Sequence, residues 1–353
     1  MDFNIDLASN STPTAMTTLS LSEMQTISII SLVTASLSFM GSFSIVLTSV
    51  CHNRVCFPEV YPIFQLSIAD ILASIFLLSN VICFLKSVPN FPGSSGPCDV
   101  LTAFMMSFYI STFILTLCYA LEAFMRMQRR LQSGSTSGNE REGNAVSHPL
   151  MYLAYGSAWL IPIVIAIVQI EVIHIIDSSL KTQYEIIPAQ CSLCLPVFHF
   201  DENKCWDHIE DASTWHLMYK LVFLIILLIV FIVNMILYIC IGRKLKQLAR
   251  GRGLVGFHQR QEESVVRKKA ILYQTAFIFC WMPSLLLGFL SLSSSFKMSQ
   301  YYWLYVLQAL LGPLQGLFNC VIYGWKREGF RRALSESTYL VSTNRSSYLT
   351  DTL

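Results

Sequence analysis

The chain has 353 residues, 54% of them hydrophobic and 13% charged, with a mean hydropathy of +0.53 and a formal net charge of +2. Soluble domains carry roughly 25% charged residues, so this composition excludes a string of soluble domains and points to a membrane protein. No glycine loop for nucleotide phosphates and no sustained basic-aromatic alternation for nucleic acid is present.

Residues 1–24 form a polar, Ser/Thr-rich tail without Lys or Arg, in which Asn10-Ser-Thr12 is a glycosylation sequon, usable if this end faces outside. No basic residue precedes the first apolar run, and that run is long enough to span, so no cleavable signal peptide is expected. Seven segments have the ~20 mostly apolar residues that a spanning helix needs: roughly 25–50, 62–86, 98–125, 150–173, 216–241, 268–292 and 302–324. None duplicates another in the manner of transporter repeats. After Tyr323, the run Gly324-Trp-Lys-Arg-Glu-Gly-Phe330-Arg-Arg-Ala-Leu334 is basic on one side and apolar on the other, which suits a short helix lying on the membrane surface. The expected fold is therefore an all-α membrane protein, a seven-transmembrane helix bundle with a short amphipathic eighth helix over 25–334. A Ser/Thr/Tyr-rich tail follows over 335–353, and its terminal Asp351-Thr-Leu353 matches peptides that dock in a sheet-edge groove.

Basic residues fix the expected orientation. Arg54, the group Arg126, Arg129, Arg130 and Arg141, the nine Lys and Arg from Arg243 to Lys269, and the cluster after segment seven fall on one side. The opposite connections carry only Lys86, Lys181, Lys204, Lys220 and Lys297, amid acids such as Glu171, Asp177, Asp201 and Glu210. The positive-inside rule then places the amino terminus outside and the carboxyl terminus in the cytoplasm, with the plasma membrane as the expected location.

Cys98 starts segment three on the outer side, and Cys191, Cys194 and Cys205 lie in the loop between segments four and five. Four outward cysteines imply disulfides, and spacing alone allows three pairings. Cys191-x-x-Cys194 with His199 and His208 reads alternatively as a zinc site, but the usual second pair of ligands is missing and no metal is expected.

Ionisable residues at membrane depth are expensive and usually functional. Asp70 lies in mid-segment two and Glu122 near the inner end of segment three, where Arg126 one turn on is an ordinary helix partner. Thr112, Gln315 and Asn319 lie on other segments at compatible depths. Such a carboxylate with amide and hydroxyl neighbours holds a small cation, passes protons, or forms a buried hydrogen-bonded network. All seven histidines fall in loops or near segment ends, which argues against an intramembrane metal hydrolase. No enzyme is expected.

Segment six contains Phe277-Ile-Phe-Cys-Trp-Met-Pro283. A proline in mid-helix removes a backbone donor and clashes one turn back, so a kink is expected below bulky Phe277 and Trp281, a lever with two resting arrangements.

These residues together resemble the G-protein-coupled receptor superfamily over about 25 to 334. Leu66-Ser-Ile-Ala-Asp70 is similar to the rhodopsin-like second helix, and Phe277 with Cys280-Trp-Met-Pro283 to the sixth-helix switch. Tyr238-Ile-Cys-Ile241 with Leu245 resembles the end of the fifth, Trp159 fits the fourth, and Asn319-Cys-Val-Ile-Tyr323 resembles the Asn-Pro-x-x-Tyr of the seventh, with Phe330 in the surface helix. The family's Asp-Arg-Tyr falls at Glu122-Ala123-Phe124, with the acid kept and the arginine lost. Ser42 stands for the first-helix asparagine and Cys320 for the seventh-helix proline. Cys205-Trp206-Asp207, Leu121-Glu-Ala-Phe124 and Gln315-Gly-Leu-Phe resemble instead the secretin, adhesion and slime-mould cyclic-AMP receptor branches. The chain thus looks like a divergent orphan-type receptor between the main branches.

The resemblance implies a Cys98–Cys205 disulfide, with Cys191 and Cys194 paired together or free. It implies a sodium ion beside Asp70 as the one cofactor-like species, and a heterotrimeric G protein or arrestin as cytoplasmic partner. Met105 stands where amine receptors carry aspartate, and Pro313 where opsins carry the retinal lysine, so neither ligand class fits. The implied outer pocket draws on Met105, Met106, Tyr109, Trp281, Leu285 and Gln308, which favour a largely apolar or lipid-like ligand. The alternative is a seven-helix scaffold, decoy or trafficking protein that does not activate G proteins, motivated by Ala123.

Overall fold

The computed structural model describes residues 19–53, 55, 60–87, 96–133, 149–180, 210–251, 257–293 and 298–324. These residues form α1 (Leu21–Cys51), α2 (Tyr61–Ser87), α3 (Gly96–Ser133), α4 (Pro149–Leu180), α5 (Glu210–Gly251) and α6 (Phe257–Ser291). A single 3-10 turn, Met298–Tyr301, then leads into α7 (Tyr302–Leu311), and α8 spans Gln315–Gly324. No strand occurs among the described residues. The glycosylation sequon at Asn10, the cysteines Cys191, Cys194 and Cys205, the expected surface helix after Gly324 and the tail 335–353 lie outside the described residues.

Helices α1 to α6 are each long and apolar enough to cross a membrane. The expected seventh span, 302–324, is two helices bent by 45° at a break between α7 and α8. Gly312 and Pro313 occupy that break. Proline lacks the N–H that would continue the ladder, and its ring crowds the carbonyl a turn earlier, so the sequence dictates an interruption there. Pro283, by contrast, sits inside α6, which runs unbroken from Phe257 to Ser291. The break in the helical ladder thus falls one helix later than the proline that the sequence singles out.

α1 shows how the chain solves burial in lipid. Its start is set by a capping box: Glu23 N–H donates to Ser20 Oγ at 3.3 Å, and Ser20 N–H donates to Glu23 Oε2 at 2.7 Å. This cap places the first helical residue at Leu21, ahead of the apolar run. The buried face carries Ser28, Ser31, Thr34, Ser38, Gly41, Ser42 and Ser49, while Ile29, Val33, Met40, Phe43, Leu47 and Val50 are exposed. A helix with small polar residues inside and large apolar ones outside is stable in hydrocarbon, where small side chains permit close approach and hydroxyls bond across helices. Branched residues also face outward on α4 (Ile161, Val164, Ile167, Val168) and α5 (Ile225, Ile229, Ile232, Ile236), although the buried face of α5 is mostly large and apolar, with Phe223, Leu227 and Phe231.

Three layers of core stack along the bundle. One end holds Leu19, Ile27, Leu287, Leu304 and Tyr305. The middle holds Met105, Tyr109, Phe113, Phe223, Phe277 and Trp281 among others. The far end holds Ile45, Ile63, Tyr119, Tyr273 and Ile322. A side cluster of Leu66, Ala69, Leu115, Cys118, Tyr155 and Ala158 seats α4 against α2 and α3.

Candidate functional site

The middle layer gathers most of the residues that the sequence marks. Asn319 of α8 donates its side-chain N–H to Asp70 Oδ2 of α2 at 2.8 Å, and both side chains are buried. Four residues earlier on α8, Gln315 Oε1 accepts from Trp281 Nε1 of α6 at 2.6 Å. Gln315 and Asn319 stand one helical turn apart, so a single face of α8 grips α6 and α2 together. Both bonds join residues far apart in sequence and are enclosed by the core, where a polar group without a partner is costly.

Around Trp281 the rings meet edge to face. Phe113 lies 4.5 Å from it between centroids and Tyr109 lies 4.9 Å from it. Phe113 in turn meets Phe277 at 5.7 Å, and Phe277 meets Phe231 of α5 at 5.8 Å. Such contacts each contribute about 0.5–1.5 kcal/mol beyond burial, and they tie α3, α5 and α6 into one unit. Toward the Tyr273 end, the Tyr273 hydroxyl donates to the Asn319 carbonyl at 3.3 Å and its ring meets Tyr119 at 5.1 Å. Ala123 and Tyr323 both pack at the edge of the cluster that holds Tyr119 and Tyr273.

Thr112 and Glu122 do other work. The Thr112 hydroxyl donates to the carbonyl of Tyr109 at 2.8 Å, within its own helix, as short hydroxyls on helices commonly do. Glu122 Oε2 accepts from the Tyr155 hydroxyl of α4 at 2.7 Å. The acid on α3 is thus tied to α4, an arrangement that helix spacing alone does not indicate. The side chain of Arg126 lies outside the described residues.

Of the pocket candidates, Tyr109, Trp281 and Gln308 line a cavity together with Ser31, Leu77, Ser284 and the break residues Gly312 and Pro313. Its volume is about 20 Å³, against the roughly 300–1,000 Å³ of a small-molecule site. Met105, Met106 and Leu285 belong to the packed core beside it. Cys98 is buried at the start of α3 and is not among the free cysteines. Among the described residues, no cluster of His, Cys, Asp and Glu has the makings of a metal site.

The sequence reading missed the way α1 holds the break. Pro313 leaves the Ala309 carbonyl without its helical donor, and the Thr34 hydroxyl reaches it at 2.9 Å. Gly316, in the first turn of α8, has lost its own helical acceptor, and its N–H donates to Ser38 Oγ at 3.2 Å. Ser44 Oγ and Cys320 Sγ lie 3.0 Å apart one turn further on. The signal was present as Thr34, Ser38 and Gly41-Ser42, small residues recurring every three to four positions on an apolar helix. Thr34→Val is expected to cost about 1 kcal/mol of stability, the net worth of one hydrogen bond. In a Pro313→Ala background, which returns the missing N–H, most of that cost should vanish. A thermal-melting double-mutant cycle measures this, and additive costs would contradict the assignment.

A model of the transmembrane protein 116 family matches residues 24–346, nearly all of the helical chain. The chain belongs to the transmembrane protein 116 family. Two curated proteins of Dictyostelium discoideum are also similar. Cyclic AMP receptor-like protein C is 25% identical over 271 residues, covering 74% of this chain and 62% of its own length. Cyclic AMP receptor-like protein A is 23% identical over 269 residues, covering 76% and 55%. The chain therefore spans less than two thirds of the length of these relatives. With the apolar helices, the family match makes this transmembrane protein 116 family member an integral, multi-pass membrane protein.

Proposed function

We propose that this chain is a G-protein-coupled-receptor-like signal receptor of the plasma membrane, with its amino terminus outside and its carboxyl terminus in the cytoplasm. The observation that carries the reading is the double grip of α8. Gln315 holds Trp281 of α6 while Asn319 holds Asp70 of α2, with the ring cluster of α3 and α5 packed against the same Trp281. A ligand that turns Trp281 changes the bond to Gln315 and thereby the seating of α8, so binding on one side shifts the population of states on the other. In this reading α7 and α8 count as one broken seventh span, the surface helix follows it, and Cys98 pairs with Cys205.

The relatives named for likeness to cyclic AMP receptors do not fix the ligand. The residues gathered around Trp281, namely Met105, Met106, Tyr109, Leu285 and Gln308, include no Lys or Arg, which suits an apolar or lipid-like ligand better than a phosphate, and the small cavity there would have to open to admit one. A sodium ion beside Asp70 remains part of the proposal. Asn319 now turns an N–H toward that carboxylate, so an ion would have to displace it; sodium-dependent melting that is lost in Asp70→Asn tests this.

Ala123 favours the second reading, a scaffold or decoy that does not activate G proteins, because the arginine of related receptors is replaced by a methyl group packed among tyrosines. A panel of G-protein dissociation and arrestin sensors separates the two. The receptor reading predicts a response in at least one G-protein channel, altered about two- to tenfold by Gln315→Leu with surface expression retained, the worth of one buried hydrogen bond. Silence across every G-protein channel, with other partners still recruited, selects the scaffold.

A further inference from the structure

We propose that a single buried water molecule occupies the cavity between α6 and α7 and bridges Ser284 to Gln308 beside Trp281. Three observations converge on it. The cavity is about 20 Å³, above the ~10–15 Å³ that one water requires and far below the size of any organic ligand. Most of its lining is buried: Ser31, Leu77, Trp281, Ser284 and Gln308 are each at most 4% exposed, and Pro313 at the break is partly exposed. Ser284 and Gln308 both line it, and neither Ser284 Oγ nor Gln308 Nε2 has a hydrogen-bond partner among the described residues.

Two unpartnered polar groups at this depth would each cost about 1–3 kcal/mol if the space were dry. Dry cavities in proteins are apolar, whereas this one brings an amide donor and a hydroxyl to one small space, with the Ser31 hydroxyl on the same wall. The chemistry also selects water over a cation. Gln308 brings an unpartnered N–H donor to this lining, which a sodium ion would oppose, whereas a water oxygen can accept from it and donate its own hydrogens to the serines.

The position gives the water a role. Ser284 stands three residues after Trp281 on α6, and Gln308 stands four residues before Gly312, whose N–H donates to the Gln308 carbonyl at 3.0 Å. The water therefore joins the Trp281 turn of α6 to the last turn of α7 before the Pro313 break. A bridge of this kind satisfies both helices while letting their spacing vary, which a direct side-chain bond would not. The inference stands whether or not the chain signals.

X-ray radiolytic labelling of the purified full chain in ¹⁸O-water tests it, because hydroxyl radicals made from a bound water mark the side chains that touch it. Trp303, 58% exposed, is the positive control, and Phe277, 1% exposed and away from the cavity, is the negative one. The expected result is labelling of Trp281 and Trp303 but not Phe277, with slower ¹⁸O entry at Trp281. Labelling of Trp281 should fall severalfold in Ser284→Val/Gln308→Leu. Should that double variant fold poorly, Gln308→Leu alone decides by melting. A dry cavity predicts a higher melting temperature, because an unsatisfied donor is removed, and a hydrated one predicts a lower one. An unlabelled Trp281 beside a labelled Trp303, labelling unchanged in the folded double variant, or a rise in melting temperature with Gln308→Leu would each overturn the proposal.

Discussion

Gly41→Ala is expected to destabilise the protein by at least 1–3 kcal/mol, the usual range for overpacking, whereas Gly156→Ala should be neutral or slightly stabilising. A Cβ on Gly41 would stand 2.8 Å from the Cα of Leu317 and 3.2 Å from the Gly316 carbonyl oxygen. These are backbone atoms of α8, so no rotamer change relieves the clash and the helices must separate. Separation also lengthens the bonds from Thr34 to Ala309 and from Gly316 to Ser38, which compensate the Pro313 break. The cost of the methyl group is therefore added to the cost of backbone groups left open in a medium without water. Gly156, on the exposed side of α4, has nothing within 4 Å of the same hypothetical atom. There alanine only improves helix propensity. Gly316 is the reciprocal position, where a Cβ meets Ser42 Oγ, Ser38 Oγ and, at 3.0 Å, the Ser38 carbonyl oxygen; the hydroxyls can rotate away, but the carbonyl cannot, and Ser38 then releases the Gly316 N–H. Thermal melting of the purified variants checks the series. Equal melting of Gly41→Ala and Gly156→Ala would refute the close packing of α1 on α8.

What was legible in the chain divides along physical lines. Six of the seven expected spans were readable because hydrocarbon imposes a length and a composition that few sequences meet by chance. Asp70 and Glu122 stood out because a charge at membrane depth needs a reason. Trp281, Asn319 and Tyr323 stood out through order and spacing shared with a known superfamily. Partners were not readable: nothing local links Trp281 to Gln315 or Glu122 to Tyr155, since each bond depends on how helices rotate against one another. The serine and threonine face of α1 was hidden because hydropathy averages it with the apolar residues between. Pro313 was visible but seemed important only for the lysine it replaces. Its larger consequence, a broken span held by α1, needed the neighbouring helix to be seen. Asn234 of α5 and Gln274 of α6, both buried and both without a hydrogen-bond partner among the described residues, carried the same signal as Gln315, a polar residue at membrane depth, and the sequence reading passed over them.

Asn319→Leu is expected to be among the most damaging single changes in the bundle, while Asp70→Leu/Asn319→Leu together should fold almost normally. The single change removes the donor at 2.8 Å and leaves the buried Asp70 carboxyl without it. Hydrogen bonds to such groups contribute about 1.5–3 kcal/mol, and stranding the buried partner adds its desolvation cost. The leucine keeps a backbone carbonyl, so the bond from Tyr273 at 3.3 Å survives and the loss reports on the side-chain pair alone. Replacing both partners by apolar groups strands nothing, because the environment is already hydrocarbon-like. A double-mutant cycle on melting should therefore give a coupling of about 1.5–3 kcal/mol, and additive effects would contradict the pairing. Function separates what stability merges. Under the receptor reading the double variant reaches the cell surface yet signals weakly, because α8 has lost its hold on α2 while keeping Gln315 on Trp281. Under the scaffold reading the same variant recruits its partners as the wild type does.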